Sequence, residues 1–161
     1  APFRTVIVDR DAIALRKDGT HAAALIEAWV RGGGHCVLLA QRWNAHKAGP
    51  LAQLARFGPG RLFPPEGPVD ADSAAGPAVA PNRLRAGDWE GWIISRARAT
   101  VDLPGDGSAV AWCRDRATGA VLGATIAAGE GTIAAVTLDI SPQLQIVHPG
   151  ACRLLANLVS H

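Results

Sequence analysis

Apolar positions in the first forty residues follow two different periods. Residues 3–8 form a short β-branched run closed by Asp9, which predicts a central parallel strand buried on both faces. A helix is expected next. Asp18 or Thr20 can cap its N-terminus, Ala22, Leu25, Ile26, Trp29 and Val30 recur at helical spacing, and Gly32-Gly33-Gly34 stops it. Residues 36–41 then read as a second apolar strand. A strand–helix–strand unit of this kind points to a parallel sheet with a right-handed crossover.

Between residues 42 and 85 the texture changes to proline, glycine and alanine, with few β-branched residues. This predicts a long irregular excursion with one helical turn near residues 51–56. Excursions of that length serve either function or docking. Regular structure is expected again at residues 92–96 and 110–113, each a short strand. Residues 121–127 and 132–138 are two further β runs, and Gly129-Glu130-Gly131 between them predicts a hairpin. Pro149 and Gly150 open a last helix to about Val159, with Leu154, Leu155 and Leu158 as its apolar stripe.

Composition narrows the picture. With 48% hydrophobic and 19% charged residues among 161, the chain has a globular balance and the length of one domain. The formal charge of +2 is spread thinly. Arg83, Arg85, Arg96 and Arg98 form the nearest approach to basic pairs and read as solvated faces, so no nucleic-acid partner is expected. No apolar stretch reaches membrane-spanning length. A soluble protein follows, with a secreted or periplasmic origin left open. Cys36, Cys113 and Cys152 are few, odd in number and far apart, which favours reduced, mostly packed thiols.

The segment Asp88-Trp89-Glu90-Gly91-Trp92, with Pro81-Asn82, Gly129-Glu130-Gly131 and residues 149–157 (Pro-Gly-Ala-Cys-Arg-Leu-Leu-Ala-Asn), resembles the closing half of a class I glutamine amidotransferase-like domain. Such domains are appended to LmbE/PIG-L-type N-deacetylases and to some β-galactosidase-like glycosidases. The resemblance implies a three-layer, flavodoxin-like α/β fold, mostly parallel, ending in an antiparallel hairpin. It covers most of the chain outside residues 42–80. It also implies one or two strand–helix units ahead of residue 3, which this sequence does not show, so a partner chain, a parent catalytic domain or a homo-oligomer is expected to cover the first strand.

Amidotransferases of this class need a cysteine on a sharp strand-to-helix turn, activated by histidine. Cys36 follows His35 but opens a strand and lacks flanking glycines. Cys152 lies near a helix start, where the dipole favours thiolate, yet its neighbours suggest packing. Cys113 reads as core. His21, His35, His46, His148 and His161 show no metal-ligand spacing, so neither metal nor cofactor is expected. His148 faces either a cleft or its own loop.

Asp88 and Glu90 could supply the two carboxyl groups of a glycosidase, or Asp88 could anchor a loop. Asp9 and Asp139 each follow a strand, where open α/β sheets bind ligands. Trp43, Trp89 and Trp92 could stack on a sugar or simply pack. The favoured function is a non-catalytic accessory domain of a carbohydrate-active enzyme or its complex, docked against a catalytic domain and helping to shape or cover a glycan cleft, so that a glycan is a candidate partner. The alternatives are a stand-alone hydrolase of a sugar or amide using Asp88, Glu90, His148 or Cys152, and a structural subunit that completes a split α/β domain.

Overall fold

The computed structural model describes residues 3–42, 49–71 and 76–160. In chain order the elements are β1 (Thr5–Val8), α1 (Ala12–Leu15), α2 (Gly19–Arg31), β2 (His35–Leu39), α3 (Leu51–Leu54), β3 (Arg56–Phe57), β4 (Val69–Asp70), β5 (Val101–Asp102), β6 (Ala109–Asp115), β7 (Val121–Ala128), β8 (Gly131–Val136), α4 (Ile140–Gln145) and α5 (Pro149–Val159). Short 3-10 turns at Gly76–Ala78 and Ala86–Trp89 punctuate the excursion. The main sheet has the order β1-β2-β8-β7-β6-β4, and β3 pairs with β5 separately.

β2 and β8 form its centre, parallel to each other and in register from His35 opposite Thr132 to Leu39 opposite Val136. Their side chains alternate between the two faces. Val37, Ala134 and Val136 pack with Ala151, Leu154 and Leu158 of α5. Cys36, Leu38, Ile133 and Ala135 pack with Ile13, Ala23 and Val30 on the other face. A strand buried on both sides must be apolar throughout, and the runs in β2 and β8 meet that demand. The alanines in β8 let both helices approach closely. Gly131 is required for the same reason, since a Cβ there would lie 2.0 Å from the Val30 carbonyl oxygen.

Two expectations are corrected. β1 is the edge strand, not a central one: it pairs only with β2 among the described residues, Ile7 is 49% exposed and Phe3 is 70% exposed. The second neighbour of β2 is β8, delivered from the C-terminal half, so the sheet grows away from β1. The sheet is also mixed, not mostly parallel. Only β1–β2 and β2–β8 are parallel, whereas β8–β7, β7–β6 and β6–β4 are antiparallel. Short connections enforce this for β6–β7 and β7–β8, because strands joined by a few residues can only run back on themselves. The β7–β8 hairpin closes at Ala128 opposite Gly131 as its glycines suggest.

The predicted strand at residues 92–96 is irregular backbone. Gly91 and Ile94 both take positive φ, which breaks the extension. Ala97 alone bridges, to Phe63 and Leu138. The helix expected after β1 is α2, with Asp18 at its N-cap position although that side chain makes no capping hydrogen bond, and a short, unpredicted α1 precedes it. Leu25 faces solvent. No helix among the described residues is long and apolar enough to cross a membrane.

Leu154 is wholly buried, and Leu155, one residue on, is only partly covered. Leu154→Ala should therefore cost about 2–5 kcal/mol and Leu155→Ala clearly less. Urea unfolding midpoints at unchanged m-value would check this.

Candidate functional site

The segment around Asp88 is assembled against the first turn of α5. Gly150 makes this contact feasible, because a Cβ there would lie 2.0 Å from the Asp88 carbonyl oxygen. Asp88 is buried, and both its carboxylate oxygens are occupied. Oδ2 accepts the Arg85 backbone N–H at 2.8 Å, and Oδ1 accepts the Arg153 guanidinium through Nε at 2.9 Å and through Nη2. The indole N–H of Trp92 donates to the Asp88 carbonyl at 2.9 Å. Asp88 thus ties the excursion to α5.

His148 is the N-cap of α5. Its Nδ1 accepts from the N–H groups of Gly150 and Ala151 at 3.2 and 3.4 Å, and its Nε2 donates to the Glu90 carbonyl at 2.6 Å. These partners together require a neutral ring with the proton on Nε2. The Glu90 side chain is exposed, two residues from the buried Asp88 carboxylate. Trp89 and Trp92 are each 5% exposed, with ring centroids 5.5 Å apart, and Trp92 meets His148 edge-on at 6.2 Å. Both indoles lie largely inside the core. Their edges, with Glu90 and the buried Arg96, back a crevice of about 400 Å³. Nε and Nη1 of Arg96 have no hydrogen-bond partner and are sealed from that crevice. Burial lowers the pKa of Arg96, opposed by the Asp115 charge. Arg96 is therefore not a solvated face and Arg98 is half-buried against Asp139, whereas Arg83 and Arg85 are exposed as expected. Trp43, His46 and His161 lie outside the described residues.

A larger concavity of about 650 Å³ opens at the carboxyl ends of β1 and β2. Its walls are Arg10 and Asp11 after β1, Ala40 to Arg42 after β2, the loop from Phe57 to Leu62, and Arg98. Gln41, almost fully buried, builds the floor. Its Oε1 accepts the Ile13 N–H at 3.2 Å, and its Nε2 donates to the carbonyls of Asp9 and Leu39 at 2.6 and 2.7 Å. That clamp fixes the β1–α1 turn against the end of β2.

Asp139, after β8, is 4% exposed and accepts from Ser95 Oγ at 2.5 Å, Arg98 Nε at 2.7 Å and Arg10 Nη1 at 3.4 Å. It therefore sits beneath two arginines of the concavity. The Asp9 carboxylate accepts the N–H of Arg10 at 2.7 Å. Asp9 and Asp139 are thus brought to the same end of the sheet, while Asp88, Glu90, His148 and Cys152 gather at the start of α5.

Sequence reasoning missed Arg10, Arg42 and Arg61 and the Gly58-Pro59-Gly60 turn. The available signal was Asp9-Arg10 directly after β1 and Arg42 three residues past β2.

The thiols differ sharply. Cys36 and Cys113 are buried and Cys152 is exposed, and all three are free. Burial pushes Cys36 up to about 12 from an ordinary 9.0 and raises Cys113 further. The Cys152 backbone N–H donates to the His148 carbonyl at 3.0 Å, but no histidine side chain hydrogen-bonds to the Cys152 thiol among the described residues. Nor do any three His, Cys, Asp or Glu side chains there gather as a metal ion would need.

No family model and no curated protein matches the chain. Solved structures do match its fold. A cytoplasmic protein of Salmonella typhimurium is 14% identical, with a TM-score of 0.64, over 99% of this chain and 71% of its own. The β-galactosidase of Rahnella sp. R3 is 16% identical, with a TM-score of 0.57, over 96% of this chain but 22% of its own. An exo-β-1,4-mannosidase from Opitutaceae bacterium strain TAV5 is 15% identical, with a TM-score of 0.52, over 86% of this chain and 23% of its own. The class defined is a mixed α/β domain whose fold recurs within larger glycosidases. At these identities the likeness is one of fold.

Two expectations follow from the geometry. A thiol reagent at about pH 8 should titrate one cysteine rapidly in the folded chain, removed by Cys152→Ala, and all three after denaturation. Below pH 9.0 the Cys36 thiol is neutral in both states; between 9.0 and about 12 the unfolded chain alone loses the proton, so stability falls as pH rises through that window. Separately, His148→Ala should cost about 1 kcal/mol through loss of the cap, and His148→Asp should recover part of it, read as urea midpoints.

Proposed function

We propose that the chain is a non-catalytic, glutamine amidotransferase-like accessory domain, three-layered and flavodoxin-like in plan, of a carbohydrate-active enzyme. It docks against the catalytic domain and helps shape or cover a glycan cleft. The observation that carries this reading is the pairing of coverage values. Nearly the whole chain matches about a fifth of a β-galactosidase and of a mannosidase, which is the relation of a domain to a larger enzyme.

The side-chain geometry supports the non-catalytic half. Asp88 is buried in an ion pair, the ring nitrogens of His148 are both occupied by backbone groups, and among the described residues Cys152 has no activating histidine. A nucleophile needs a base within hydrogen-bond reach, and none is in place among the described residues. The outer edge of β1 supports docking, because a strand edge without a partner among the described residues, with exposed Ile7 and nearby Phe3, offers both backbone and apolar contact. A partner strand or a second copy could seat there.

The test is native mass spectrometry of the protein isolated from its source, with every associated chain identified, alongside assays on chromogenic glycosides and N-acetylated sugars. The expected result is a carbohydrate-active catalytic chain, continuous or associated, and no turnover by the 16.7 kDa chain alone. Turnover by that chain, abolished by Asp88→Asn or Cys152→Ala, would overturn the accessory reading in favour of a stand-alone hydrolase.

A further inference from the structure

We propose that the concavity at the carboxyl ends of β1 and β2 is a binding site for a small molecule bearing a carboxylate or phosphate group. This goes beyond the docking role and does not depend on it.

The first argument is charge. Four guanidinium groups, of Arg10, Arg42, Arg61 and Arg98, line the cavity, and Asp11 is the one carboxylate among its lining residues. Asp11 takes Arg42 at 2.9 Å, and the single charge of Asp139 below is shared by Arg10 and Arg98. Arg61 has no carboxylate partner among the described residues; its guanidinium sits 5.0 Å from the Phe63 ring centroid. Four cations thus face two paired anions, with Asp9 nearby turned to the Arg10 N–H. The excess is positive. A concave site with one sign of charge concentrates ions of the other.

The second argument is preorganisation. Arg98 is held by a buried carboxylate, and its own N–H is spent on the Thr137 carbonyl at 3.1 Å. Gln41 locks the turn that carries Arg10 and Asp11. The Arg98 guanidinium, fixed in this way, loses little freedom on binding, and guanidinium donors match the oxygens of carboxylate and phosphate. The third argument is shape. About 650 Å³ suits a ligand of metabolite size, Phe57 and Leu62 add apolar walls, and Gly58 and Gly60 put no side chain in the way.

Isothermal titration of the chain with glucuronate, glucose 6-phosphate, inorganic phosphate and glucose tests this. Glucuronate or glucose 6-phosphate should bind, more weakly as salt is raised, and neutral glucose should not. Arg61→Gln and Arg42→Gln, both at exposed positions, should keep the melting temperature while each weakens binding about tenfold. If inorganic phosphate binds as tightly as glucose 6-phosphate, the anion alone is the recognised group and the site stands. Glucose binding equal to glucuronate, affinities unchanged in both variants, or no heat with any anion up to about 10 mM would overturn it.

Discussion

The burial of β2 and β8 on both faces is the constraint from which the rest of the fold follows. Residues 36–38 and 133–136 have no solvent exposure, so neither face of these strands can be left to water. Helices must therefore come from both sides, and the chain supplies α2 from one βα unit and α5 from its far end. Small residues decide how close they come. Ala134 and Ala135 point to opposite faces, and larger side chains at either position would push a helix off the sheet.

Packing alone does not fix α5 along its axis, and polar clamps supply that. Asn157, fully buried, accepts the Asn82 N–H at 2.9 Å on Oδ1, while its Nδ2 donates to the carbonyls of Pro77 and Asn82 at 2.7 and 2.5 Å. His35 ties β2 to β8 and α5 through Thr132 Oγ1 at 2.7 Å and the Leu158 carbonyl at 2.8 Å. Arg153 with Asp88, and His148 with Glu90, do the same at the helix start. Each buried polar group that finds a partner avoids a desolvation cost of about 1–3 kcal/mol. The irregular segment between residues 77 and 92 is held in place largely by these bonds. Gln143 extends the pattern, closing residue 93 against α4 through both its amide atoms.

These clamps explain what the sequence disclosed and what it hid. Period-2 and period-3.6 patterns exposed β2, the hairpin, α2 and α5, because those elements bury one side or both and their composition must comply. The edge position of β1 was hidden, since Thr5–Val8 is as apolar as a central strand and nothing local records which neighbour arrives later. The acid-aromatic segment leaves chemistry and fastening both open, because carboxylate, indole and imidazole are residue types that catalysis uses. The same types also suit buried fastening of an irregular chain, and spacing cannot distinguish a carboxylate that faces substrate from one that faces Arg153. The arginines of the cavity left even less trace. They come from four separate stretches of sequence and meet only once the sheet is formed, although Arg10 and Arg42, just past β1 and β2, lie where α/β sheets collect ligands.

The two regions differ in a way that bears on function. At the start of α5 the Asp88 carboxylate, the Trp92 indole N–H and both ring nitrogens of His148 are spent on internal partners. At the ends of β1 and β2 the carboxylates Asp11 and Asp139 steady arginines without cancelling their charge, and Arg61 rests on an aromatic face that leaves its donors to solvent or ligand. A domain that uses its aromatic segment for cohesion can keep an open, charged strand end for recognition. On the proposed accessory role, the edge of β1 and this cavity adjoin through Arg10 and Asp11, so a chain docked along that edge would lie beside whatever the arginines hold.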